Sequence, residues 1–199
     1  MVRVWIDEVP WGEAPAAGTK EELWEALNGH LASLGRICRA LEVDGEAMEV
    51  EAFLQVTGGQ ELRVTSCPVR ELVRESLGQA IRYLPELHKG AERVADLLEE
   101  ENLQEAFPVL SQLSEGTTWV LQVLGRSQVL LALPDGEIGD GELSAVRERL
   151  LAVLRDALSS LEGEKFFELA FQLREELVPA LVRLGGYVVA LNNTAESVQ

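Results

Sequence analysis

The chain has 199 residues, with 17 Lys and Arg against 34 Asp and Glu, a formal net charge of −17, and 47% hydrophobic against 26% charged residues. That balance excludes a disordered polyelectrolyte and fits one large or two small folded domains. The acidic excess argues against nucleic acid and against anionic membrane surfaces, because both repel a field of this sign.

Val2, Val4 and Ile6 alternate with Arg3, Trp5 and Asp7, which predicts a strand with one apolar face. Asp7-Glu8 turns the chain into a short second strand, Val9–Trp11, which Pro10 confines to a sheet edge. Pro15 and Gly18 mark a loop. Thr19-Lys20-Glu21-Glu22 has the form of a capping box. Leu23, Ala26, Leu27, Leu31 and Leu34 follow at helical spacing before Gly35, so residues 20–34 are predicted helical. Arg36–Val43 reads as a strand, Asp44-Gly45 as a two-residue hairpin turn, and Ala47–Val50 as a short return strand. A helical turn over Glu51–Val56 and a last strand over Glu61–Ser66 complete a β-rich region, which Pro68 closes at the start of a helix.

Beyond Pro68 the period is helical. A stripe from Leu72 through Leu77, Leu84, Leu87 and Val94 to Leu98 predicts one long helix, kinked at Pro85 and ended by Glu99–Asn102. A second helix is predicted from Leu103 with Pro108 in its first turns, ending between Gly125 and Leu133. Pro134–Gly141 is the clearest linker. A third helix spans Glu142–Leu161, and a fourth Glu164–Leu191 contains a kinking Pro179 and stops at Asn192-Asn193. Two acidic turns, Leu98–Leu103 and Leu161–Phe166, align at an offset of 63 residues, with too few identities to claim a duplication.

These elements predict an α+β chain. Residues 1–67 form a small β-grasp-like domain, residues 68–192 a four-helix antiparallel bundle with Pro-kinked helices, and residues 193–199 a frayed tail. The order β-β-α-β-β-β resembles the β-grasp fold of ubiquitin-like domains. Ubiquitin and the sulfur carriers act through a free C-terminal Gly-Gly, whereas Gly58-Gly59 is internal here, so the resemblance implies a binding or structural module and not conjugation. The whole chain is similar to an uncharacterised family of bacterial proteins. The shared features are the Ile6-Asp7 hairpin opening, the Val43-Asp44-Gly45 turn and the Glu175–Leu181 helix. That resemblance implies no activity.

Candidate chemistry is sparse. Paired carboxylates such as Glu99 to Glu101 and Glu175-Glu176 fall on polar helix faces and turns. Only His30 and His88 are present, and neither has a Glu three positions before it, so no metal site is expected. No Gly-x-Ser-x-Gly or phosphate loop occurs, and Gly136–Gly141 lacks the lysine and the buried strand of one. Cys38 and Cys67, 29 positions apart, match neither a metal spacing nor a CxxC pair. Antiparallel pairing of the last strand with Arg36–Val43 predicts both thiols on neighbouring strands, reduced, on the face away from helix 20–34. Asp7, Glu8 and Pro10 stand where a signal peptide needs an apolar stretch, and Val120–Leu133 is interrupted by Gly125, Arg126 and Gln128. No membrane span is predicted, and the expected location is cytoplasmic. The 14 Arg against 3 Lys hint at a GC-rich or heat-adapted bacterial source.

Trp5, Trp11, Trp24 and Trp119 lie at the margins of apolar stripes and are the candidate interface residues. The expected function is a non-enzymatic protein-interaction module, an adaptor or export-chaperone-like protein in the manner of flagellar export chaperones. It would take a segment of an unidentified protein partner into a groove between its helices, without catalytic residues or cofactor. The alternatives are a structural homo-oligomer, a homodimer in the simplest case, and a ligand-binding protein or enzyme with a pocket that carries no sequence signature.

Overall fold

The computed structural model describes residues 2–12, 18–56 and 58–197, so Pro15 of the expected loop lies outside the described residues. The chain is α+β: a five-stranded mixed sheet comes first and helices follow. It divides into two compact units, Met1–Leu72 and Val73–Gln199.

The first unit begins with β1 (Arg3–Ile6) and β2 (Val9–Pro10), joined by Asp7 and Glu8, both at positive φ. Helix α1 (Lys20–Ser33) has the capping box: the Glu22 amide donates to Thr19 Oγ1 at 3.2 Å, and Glu22 accepts from the Thr19 amide at 3.3 Å. Strand β3 (Arg36–Val43) follows. Asp44 (φ 50°) and Gly45 (φ 87°) then turn the chain left-handed into β4, which is Glu46–Ala47 and not Ala47–Val50. Helix α2 (Val50–Gln55) leads to β5, which runs over Glu61–Pro68. Pro68 therefore closes the last strand opposite Arg36, and it does not enter the next helix. Proline is tolerated there because it stands at the end of the ladder.

The strand order is β2-β1-β5-β3-β4, with β1 and β5 parallel and the other pairs antiparallel. Pro10 sits on the outermost strand. Leu23, Leu27 and Leu31 of α1 pack with Phe53 of α2 on Val4, Leu41, Val43, Leu62 and Val64 of the sheet. This core follows from period 3–4 on the helix meeting period 2 on the strands.

The thiols depart from the expected arrangement. Cys38 and Cys67 do lie on neighbouring strands, since Ile37 is opposite Cys67 and Cys38 opposite Ser66. A bulge between Cys38 and Ala40, however, inserts a residue and reverses the side-chain parity of the strand start. Cys38 consequently packs against the α1-side core, while Cys67, next to Ser66, takes the other face. Burial, and then the neighbouring Cys67, push the Cys38 thiol up to about 11, so it is protonated at neutral pH.

Asp7 pins the sheet. Its carboxylate accepts from the Ser66 amide and Ser66 Oγ, both at 2.7 Å, and from Arg36 at 3.1 Å. The hydroxyl, the amide and the Arg36 charge hold its carboxyl below the usual 3.8. A depressed carboxyl stabilises the fold above its unfolded value, and this contribution fades as pH falls through the folded value. Since the group is partly exposed, screening limits it to about 1 kcal/mol. The protection factors of the Val64 and Ser66 amides, measured against intrinsic exchange at each pH, should therefore fall below about pH 4, and Asp7→Asn should abolish that fall.

The second unit is helical. Helix α3 (Val69–Glu99) starts in the first unit and passes through Pro85 without a break, and α4 (Leu103–Leu131) likewise contains Pro108. The expected linker is a folded turn: it holds a 3₁₀ turn at Asp135–Glu137 and the fully buried Ile138. Gln128 and Ser144 donate to Asp135, and Tyr187 donates to Asp140. Helix α5 (Leu143–Glu162) follows. The fourth expected helix is α6 (Phe166–Gln172), a π-helical segment (Leu173–Leu177) and α7 (Val178–Ser197). Pro179 stands two positions beyond Leu177, the end of the π segment. A proline crowds the carbonyl four residues before it, here Glu175, and the wider π turn relieves that crowding. The last helix also passes through Asn192-Asn193 to Ser197, so residues 193–197 of the expected frayed tail are helical. Ala195, buried one turn beyond Leu191 and in step with Val188, extends the packed face into that turn.

Candidate functional site

The helical unit repeats a helical hairpin. The turn before α4 and the turn before α6 make the same hydrogen bonds 63 positions apart. Asn102 N–H donates to Leu97 O and Lys165 N–H to Ser160 O, both at 2.8 Å. Glu101 (φ 58°) and Glu164 (φ 54°) are both left-handed, and the residues after them share a ψ of 67°. On the preceding helices the buried positions Ala80, Leu87 and Val94 correspond to Leu143, Leu150 and Ala157. The offset stays at 63 from Ala106 and Leu169 to Leu110 and Leu173, and becomes 64 at Leu113 and Leu177. It remains 64 for the buried pairs Thr117 and Leu181, Val120 and Leu184, and Leu124 and Val188. The one-residue change falls inside the π segment, which is what an inserted residue in a helix produces.

Each hairpin carries a groove at the same place. In the first, Gln79, Arg82 and Tyr83 of α3 face Glu115, Gly116 and Trp119 of α4 around about 540 Å³. Positions 79, 82 and 83 share one helix face at i, i+3 and i+4, beside the buried Ala80–Leu84–Leu87 stripe. Gly116 forms the floor. A Cβ there would lie 2.6 Å from both Leu87 Cδ2 and Tyr83 Oη, so the tyrosine packs directly over the helix backbone. Tyr83 and Trp119 meet edge to face, with centroids 5.6 Å apart and planes at 85°. Both rings are partly exposed. Arg82 and Glu115 stand at the rim, where neither makes an ion pair among the described residues, and Ser111 donates to Glu115 at 3.3 Å.

The corresponding groove of the second hairpin has Glu142, Ala145, Val146, Pro179, Ala180 and Arg183 at the same six positions and holds about 270 Å³. Charge closes it. Arg183 pairs with Glu142 and with Asp140, and Arg149 pairs with Glu176 at 2.6 Å. Two hairpins of one design thus present an open aromatic groove and an ion-paired one. The first groove thus has half-exposed rings over a glycine floor, with charged side chains at its rim that make no ion pair among the described residues.

Of the four expected interface tryptophans, Trp119 lies in this groove and the other three belong to the sheet unit. Arg63 covers the Trp5 ring at 5.5 Å. Trp11 stacks on His30 at 5.1 Å, with its Nε1 buried and without a hydrogen-bond partner. Trp24 packs on the core beside Phe53 at 6.3 Å. Tyr83 and Gly116 escape a reading of the sequence. Their one signal is a glycine inside a helical pattern, which costs about 1 kcal/mol relative to alanine unless close packing requires it. Among the described residues no group of three or more His, Cys, Asp or Glu could hold a metal ion, and no helix is long and apolar enough to cross a membrane.

Residues 75–185 match the family described as "Domain of unknown function (DUF8042)", a span that takes in both grooves and most of both hairpins. No curated protein and no solved structure matches the chain.

Proposed function

We propose a protein-docking function for this chain, which belongs to the DUF8042 family: the Tyr83–Trp119 groove takes a segment of a partner protein, as in an adaptor or export chaperone. The observation that carries the reading is the contrast between equivalent grooves, aromatic and open in one hairpin and tied by ion pairs in the other. An aromatic pair over a glycine floor supplies the rigid anchor that protein interfaces favour, and the Arg82 and Glu115 rim fixes the orientation of the incoming segment. The helical unit works as an antiparallel four-helix bundle, and a kink at Pro85, two residues beyond Tyr83, keeps the groove mouth open. The sheet unit is of the β-grasp type. Its strand order, with β1 and β5 parallel and α1 packed across a face, supports that reading.

Photo-crosslinking in cells of the source organism tests the docking site, with p-benzoylphenylalanine placed at Gln79 or, as control, at Ala145 in the second groove. The expected result is one partner segment captured from position 79 and absent from position 145. Equal capture from both positions, or capture of a second copy of the same chain, would refute it and favour the homo-oligomer.

A further inference from the structure

The end of the helical unit where the two acidic turns lie carries a second apolar surface, separate from the Tyr83–Trp119 groove. Leu98, Glu101 and Leu103 of the first turn line a groove of about 490 Å³ together with Glu164, Phe166 and Phe167 of the second. Glu101 and Leu103 are the 63-residue equivalents of Glu164 and Phe166, so the two repeats contribute two matching pairs of positions to one site. Phe166 touches Phe107 of α4, with ring centroids 6.2 Å apart. Phe171 lies one turn beyond Phe167 on the same face of α6. These rings are held out to solvent: Phe107 is 42%, Phe167 67% and Phe171 59% exposed. Phenylalanine has no polar atom to favour such exposure: Phe167 lines the groove, Phe171 follows one turn on, and Phe107 sits against Phe166, so apolar rings are exposed in and beside it.

Charge decides what covers it. Lys165 is committed to Glu168 at 3.1 Å, and Arg93 to Glu105 at 3.4 Å. Glu101 and Glu164, on the groove itself, have no ion-pair partner among the described residues. A second copy of this chain would bring the same acids against these, since every copy carries −17. We propose that this face docks a basic amphipathic helix of a partner protein. Its apolar stripe seats on Phe107, Phe167 and Phe171, and its lysines or arginines flank the stripe to meet Glu101 and Glu164.

The probe is a fluorescein-labelled helix-forming peptide of leucine and lysine at helical spacing, titrated by anisotropy into the full chain. A leucine–glutamate peptide and a leucine–lysine peptide of scrambled spacing serve as comparisons. The regular basic peptide should bind, and added salt should weaken it. Phe167→Ser with Phe171→Ser should reduce its affinity about tenfold or more without lowering the melting temperature, because both rings are exposed. Glu101→Gln with Glu164→Gln should reduce it about fivefold or more at low salt, and Trp119→Ala should leave it unchanged. That last variant separates this site from the aromatic groove: either can fail alone. Equal binding of the scrambled peptide would overturn the proposal, as would an equal loss on Glu21→Gln with Glu25→Gln in α1. So would a chain that is dimeric by light scattering and becomes monomeric in the double phenylalanine variant.

Discussion

Replacing Trp119 by alanine is expected to weaken the partner captured at the groove by about 30-fold or more, the effect of losing about 2 kcal/mol at an aromatic anchor. The fold should survive. Trp119 is partly exposed, and its edge contact with Tyr83 contributes only about 0.5–1.5 kcal/mol, so the melting temperature should fall by about 2–5 °C. Trp119→Phe should recover most of the affinity because it keeps a ring over the Gly116 floor. Gly116→Leu should abolish binding by another route: its side chain occupies the space of Tyr83 and Leu87 and forces the tyrosine out of place. Arg183→Ala, at the position equivalent to Trp119, should leave binding unchanged. Calorimetric titration of these four variants with the crosslinked segment checks the pattern.

The second large effect concerns the π segment. If it is one inserted residue, deleting Glu175 together with Pro179→Ala should leave Leu173 and Leu177 three positions apart, as Leu110 and Leu113 are in α4. The stripes before and after then keep their phase, and unfolding should stay cooperative with a loss within about 2 kcal/mol. Deleting the exposed Val182, only a few residues on, should be ruinous. It rotates Leu184, Val188 and Leu191 away from the core by about 100°, a loss beyond about 5 kcal/mol and comparable to the whole stability of a domain. Thermal melts followed by circular dichroism distinguish the two deletions directly.

The elements are legible where local chemistry decides them. Thr19 and Glu22 announce α1, Asp44-Gly45 the β3–β4 turn, and the 3- and 4-residue steps of leucine and alanine the long helices. What escapes depends on partners distant in sequence. The bulge after Cys38 is set by how β3 registers on β5, and no residue near Cys38 signals it, so a parity that places both thiols on one face is off by one. The π segment is invisible to a stripe that keeps steps of 3 and 4, because Leu173 to Leu177 reads as an ordinary helical step. Pro179 is the available clue, and in a sequence it signals a kink rather than an extra residue in the turn before it. Trp119 is legible as a marginal aromatic. Tyr83 is not, since only the approach of α3 to Gly116 turns it from a surface residue into one wall of a groove.

The four indole Nε1–H resonances of Trp5, Trp11, Trp24 and Trp119 report separately on the groove and on the sheet unit, and ¹⁵N-labelled chain titrated with the crosslinked segment shows which one the partner meets. The Trp119 resonance should shift and saturate at one equivalent while the other three stay in place. Movement of Trp5, Trp11 or Trp24 with Trp119 unchanged would contradict docking at the Tyr83–Trp119 groove.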